Sequence, residues 1–148
     1  MKVEIKISTD ISETHAVIHA SKLTPELIKL VELLEGVDVQ PFLLTASKDD
    51  KSFIIEADQI EIFRVEGGTV KAYNNKAQCF AIGKTLGEIH ERYVSSFIRI
   101  SKFAIVNISY IDYISPSFNG TMHIVMKNGL NDYISRRYLS DFKKQLGL

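Results

Sequence analysis

Two short stretches place cationic side chains at the edge of apolar, strand-prone runs: residues 97–107, FIRISKFAIVN, and residues 134–138, ISRRY. In the first, Phe97, Ile98 and Ile100 suggest a buried strand ending at Ser101-Lys102, and Ala104, Ile105 and Val106 then resume the core. Lys102 is therefore expected to project from a stiff loop between two anchored segments. In the second, Ser135 stands where a helix cap belongs, and the pattern predicts a helix through Leu146. Leu139, Phe142 and Leu146 share its apolar face, while Arg136, Arg137, Lys143 and Lys144 occupy the opposite one. The helix dipole favours cations at the C-terminal end and disfavours them at the start, by about 0.3–1 kcal/mol each. Lys143 and Lys144 need no further explanation, whereas Arg136 and Arg137 stand at the unfavourable end. A helix N-terminus also attracts anions, so this placement suits contact with a phosphate or a base edge. Taken singly, each basic piece also fits a solvated charged surface.

Other chemistries find less support. His15 and His19 share a face in either a strand or a helix, but no third ligand lies at useful spacing. His90 and His123 are isolated. Ser140-Asp141-Phe142-Lys143 has the SxxK pattern without the companion SDN and KTG elements. There is no Walker loop, GxGxxG, HExxH or GxSxG. Cys79 beside Phe80 reads as a core residue rather than a nucleophile. No enzyme activity, cofactor, metal or small-molecule substrate is expected.

The elements that must position these residues follow from length and patterning. A chain of 148 residues with 45% apolar content suffices for a substantial core. The single cysteine excludes an internal disulfide and fits a reducing compartment. No apolar run reaches membrane-span length and the start lacks a signal-peptide core, so the expected location is the cytoplasm. Net charge is zero, yet residues 1–66 hold 7 Lys/Arg against 13 Asp/Glu, and residues 67–148 hold 11 against 5. A neutral total can thus hide a basic surface of the kind polyanions bind.

Residues 3–8 alternate in polarity as a strand does, and residues 14–20 read as a second strand. Thr24, Pro25 and Gly36 bracket a helix whose Leu27, Leu30, Val31 and Leu34 form one stripe. Short strands then follow at 42–47, 52–56, 60–66, 69–73 and 77–82, with turns at residues 48–51, at Gly67-Gly68 and at Asn74-Asn75. Thr85 and Glu88 have capping-box spacing for a short helix to about Tyr93. Further strands are expected at 97–100, 110–115 and 121–127, with turns at Asn119-Gly120 and Asn128-Gly129. The predicted fold is mainly β, with antiparallel sheets and a C-terminal helix. Residues 1–40 form an α/β extension of a body over residues 41–148.

FIRISKFAIVN, Tyr110-Ile111-Asp112-Tyr113-Ile114, SPSFNGTMHIVMKNG and ISRRYLSDFKKQLG, in that order, resemble the LytTR (LytR/AlgR-type) DNA-binding domain. The strand of residues 58–66 and the helix of residues 85–93 match that family too, and the likeness runs from about residue 43 to 148. It is narrower still to the branch that stands alone without a receiver domain. The resemblance implies a β-rich, response-regulator-like transcription regulator whose loops enter successive major grooves of a duplicated double-stranded DNA site. It assigns base reading to Lys102 and Arg137 and backbone contact to Arg136 and Ser101. Phe103 departs from the serine common in the family. In the turn near Gly67–Thr69, where the family makes its third base contact, the glycines offer no side chain, so that contact is left unassigned. Forty residues cannot form a receiver, so control by another route is implied, including restraint by a small membrane protein. Residues 1–40 are expected to serve dimerisation, giving a homodimer, or docking of such a partner. The competing expectation is a β-rich protein-interaction module whose basic edge meets an acidic protein.

Overall fold

The computed structural model describes residues 10, 15–35, 43–93 and 96–148. The chain divides into two units, Met1–Gln40 and Pro41–Leu148. In the first, helix α1 spans Pro25–Glu35. The Thr24 hydroxyl accepts the Leu27 N–H at 3.2 Å, the cap that the sequence predicts. Leu27, Leu30 and Val31 are half-buried and Leu34 is exposed. Residues 15–20, expected as a strand, have no regular structure and are exposed. A strand needs a partner ladder, and a short apolar run alone does not supply one. The strand expected at residues 3–8 and the helix stop at Gly36 lie outside the described residues.

The second unit holds ten strands and two helices among its described residues. Strands β1 (Leu43–Lys48), β2 (Lys51–Glu56), β3 (Ile60–Glu66), β4 (Thr69–Asn74), β5 (Cys79–Ile82), β6 (Phe97–Ser101) and β7 (Ala104–Asn107) form one sheet. Its order is β2-β1-β5-β4-β3-β7-β6, and every pairing is antiparallel. Strands β8 (Ile111–Pro116), β9 (Met122–Met126) and β10 (Asn131–Ile134) form a second antiparallel sheet. Tight turns close the hairpins through left-handed residues: Asp49-Asp50 between β1 and β2, and Gly67-Gly68 between β3 and β4.

Helix α2 (Leu86–Arg92) carries the expected capping box, with Thr85 Oγ1 accepting the Glu88 N–H and Glu88 Oε2 accepting the Thr85 N–H. Its Leu86 and Ile89 pack with Leu44, Phe63, Phe80, Phe97 and Ile105 on one face of the large sheet. Helix α3 (Arg136–Leu146) packs on the other face with Ile62, Ile98, Ile100 and Val106, beneath Ile124, Met126 and Ile134 of the small sheet. Period-two alternation of β6 divides its residues between the cores, Phe97 to the first and Ile98 and Ile100 to the second. Phe142 is fully buried, with Leu139 and Leu146 half-buried beside it, as their spacing predicts. Two strands had no periodic signal. Every residue of β7 is buried, which erases alternation, and β10 is a four-residue edge strand.

Cys79, expected in the core, is only half-buried: the alternation of β5 puts Phe80 and Ile82 inside and turns Cys79 outward beside Tyr73.

Candidate nucleic-acid interface

The strand ends bring the two basic pieces together. At the β6–β7 hairpin the pairing passes from Arg99–Ile105 to Ser101–Ala104, leaving Ile100 as an extra residue. Its carbonyl accepts the backbone N–H of Ser135 at 2.9 Å. Ser101-Lys102 and Arg136-Arg137 therefore leave from adjacent points on one rim. Ser135 occupies the cap position of α3, but its side chain makes no capping bond; the main chain is held through its N–H instead.

The Lys102 turn is braced. Arg99 donates from Nε to the Ser101 carbonyl at 3.2 Å and from Nη2 to the Lys102 carbonyl at 3.0 Å. Ser101 Oγ accepts the Phe103 N–H at 3.1 Å, and the Phe103 carbonyl accepts the Val65 N–H at 2.8 Å. That last bond joins the turn to the end of β3, just before Gly67-Gly68. Lys102, Arg136 and Arg137 are exposed, Ser101 is half-buried, and none of the three cations pairs with an acid among the described residues. Lys102 Nζ lies 5.7 Å from the Phe103 ring centre and the Arg137 guanidinium 5.9 Å from that of Tyr138, distances at which an aromatic face attracts a cation.

Other cations are already engaged. Arg64 pairs with Asp132 at 3.5 Å, donates to the Asn131 carbonyl at 3.1 Å and lies over the Tyr73 ring, so it ties β3 to β10. The Tyr73 hydroxyl donates to the Glu66 carboxylate at 2.7 Å; burial and that neighbour push its pKa well up. Lys127 Nζ donates to the Ser109 carbonyl. Since Asp132 is occupied by Arg64, it does not offset the cations of the rim.

Two buried polar side chains tie the start of β3 to its surroundings. Asn107, 3% exposed, donates to the Asp58 and Ile60 carbonyls and accepts the Ser109 N–H. Glu61, 1% exposed beside the irregularity in β3, accepts the Asn128 N–H at 2.8 Å. Burial raises its pKa, partly offset by that bond and by Lys127. Burial also lowers His90, with help from the charge of Arg99.

Sequence reasoning singled out Lys102, Arg136, Arg137 and Ser101, and it did not mark Arg99 as a brace or Glu61 as a buried acceptor. The signal for Arg99 was present: a charged residue inside FIRIS, flanked by residues that the strand buries. Nothing local marked Glu61, because its burial depends on the β9–β10 turn 67 residues away.

Comparisons with known proteins converge on this architecture. The family model described as LytTr DNA-binding domain matches residues 50–147. A Staphylococcus aureus (strain NCTC 8325 / PS 47) protein described as an uncharacterized HTH-type transcriptional regulator is 29% identical over 148 residues, spanning 100% of this chain and 99% of its own. Its counterpart in strain MRSA252 is 28% identical over the same span. Among solved structures, the LytTr DNA-binding domain of a Bacillus cereus chain described as a methyl-accepting/DNA response regulator has TM-score 0.68 at 23% identity. It covers 74% of this chain and 99% of that one. Despite the helix-turn-helix label of those relatives, strands separate the helices among the described residues. With antiparallel sheets, a C-terminal helix and a family match over about two-thirds of its length, the chain belongs to the LytTR DNA-binding domain family.

Proposed function

We propose that this protein is a sequence-specific regulator of transcription that reads double-stranded DNA with the rim of residues 101–102 and 136–137. The hydrogen bond from Ser135 to Ile100 carries the proposal, because it sets two basic turns side by side. Lys102 and Arg137 read base edges in the major groove, while Arg136 and Ser101 hold phosphates. The protein acts in the cytoplasm as a homodimer on a duplicated site. Residues 1–40 form the extension that dimerises or docks a small restraining membrane protein through Leu27, Leu30, Val31 and Leu34.

Binding of a duplex selected from a random-sequence library tests the proposal. Lys102→Ala and Arg137→Ala should each weaken that duplex by about 5- to 150-fold while binding to random DNA stays nearly level. Equal loss on both DNAs would reduce these residues to charge alone, and enrichment of no duplex would favour an acidic protein partner. Leu34→Asp should separate the dimer in sedimentation; an unchanged mass would remove the stripe from the interface.

A further inference from the structure

The β8–β9 turn, residues 117–121, belongs to the same rim. Ile134 pairs with Met122, and Met122 with Pro116, so the end of β10 and both ends of this turn lie at one edge of the small sheet. The contact is close: a Cβ on Gly120 would stand 3.4 Å from Cδ of Arg136. The tip of the turn is Phe118, which at 86% is the most exposed large apolar side chain among the described residues. Turn tips ordinarily carry small or polar residues.

The turn is held by its own bonds. The Phe118 carbonyl accepts Thr121 Oγ1 at 2.7 Å and the Thr121 N–H at 3.1 Å, and the Thr121 carbonyl accepts the Ser117 N–H at 3.0 Å. Asn119 and Gly120 are both left-handed. The backbone of such a turn is already ordered, so burying its ring against a partner costs only side-chain freedom. The adjoining cations restrict that partner to a polyanion, and the apolar group a polyanionic duplex offers in its major groove is the thymine methyl.

We infer that Phe118 is a further specificity residue, making an apolar contact with a thymine methyl beside the phosphate held by Arg136. The inference rests on the proposed DNA reading and adds a contact to it.

The test uses the full chain and the duplex it selects from the random library, with each thymine replaced in turn by deoxyuridine, which lacks the methyl group. For the wild type, one replacement per half-site should weaken binding about fourfold, the equivalent of one buried methyl group. In Phe118→Ser the parent duplex should bind more weakly and that position should become indifferent to the replacement, whereas Phe118→Leu should keep the sensitivity. Wild-type binding by Phe118→Ser, or weaker binding with the deoxyuridine response unchanged, would overturn the inference while leaving the Lys102 and Arg137 reading intact. Failure to select any duplex would overturn both.

Discussion

The backbone N–H of Ser135 meets the carbonyl of Ile100 at 2.9 Å, so the start of α3 is pinned to the bulge that ends β6. Residues 35 apart in sequence (100 against 135) thereby become neighbours, and the basic segments that follow them, 101–102 and 136–137, start from adjacent backbone. Ser135→Pro removes this donor at a φ of −70° that proline accepts. It should lower stability by about 1 kcal/mol, the worth of one hydrogen bond. Fluorescence anisotropy should show weaker binding to the selected duplex at a temperature where circular dichroism reports a folded protein. A stability loss with full affinity would mean that the bond has no part in alignment.

Arg99 should matter without touching DNA. Arg99→Met keeps the stem but removes both donors to the carbonyls of Ser101 and Lys102. The amides of Lys102 and Phe103 should then exchange faster, and the selected duplex should bind more weakly. Arg99→Lys should not restore either property, since an ammonium lacks the fork that spans two carbonyls. Unchanged exchange in both variants would show that the turn stands without its brace.

Glu61 makes stability depend on pH in a definite direction. Its folded pKa lies above its ordinary value of 4.5, so the stability it contributes is complete below that value and lost as pH rises through the folded value. Glu61→Gln retains an acceptor for the Asn128 N–H and removes the titration. Melting curves should show wild type losing ground to Glu61→Gln as pH rises through that window. A constant difference across the window would place the effect elsewhere.

Phe142 and Phe118 make opposite demands on the fold. Phe142 is 0% exposed and Phe118 is 86% exposed. Phe142→Ala should cost about 3–5 kcal/mol in urea denaturation through the cavity it leaves under α3. Phe118→Ser should stay within about 0.5 kcal/mol of wild type. A large loss at Phe118 would mean that its ring supports the turn it projects from.

Arg136 should act through charge. If it holds one phosphate, Arg136→Ala should lower the slope of log affinity against log salt by about 0.9 and weaken all duplexes alike. A change confined to one duplex sequence would make it a base reader.

Much of this protein is written in local sequence. Gly67-Gly68 closes its hairpin, Thr85 and Glu88 cap α2, and Leu139, Phe142 and Leu146 define the buried face of α3, because each depends on neighbours within a turn or two. The ordered motifs of residues 97–146 likewise identified the family and the exposed cations before any coordinates. The reading of residues 14–20 as a strand misled over residues 15–20, since a strand exists only when another strand completes its ladder. Tertiary structure alone decided the rest: the bulge at Ile100 that frees a carbonyl for Ser135, the capture of Arg64 by Asp132, the burial of Glu61, and the arrival of Phe118 beside the basic rim. Each joins residues far apart in the chain. A periodicity of two or 3.6 residues fixes which way a side chain faces, and only the pairing of whole strands fixes what it meets there.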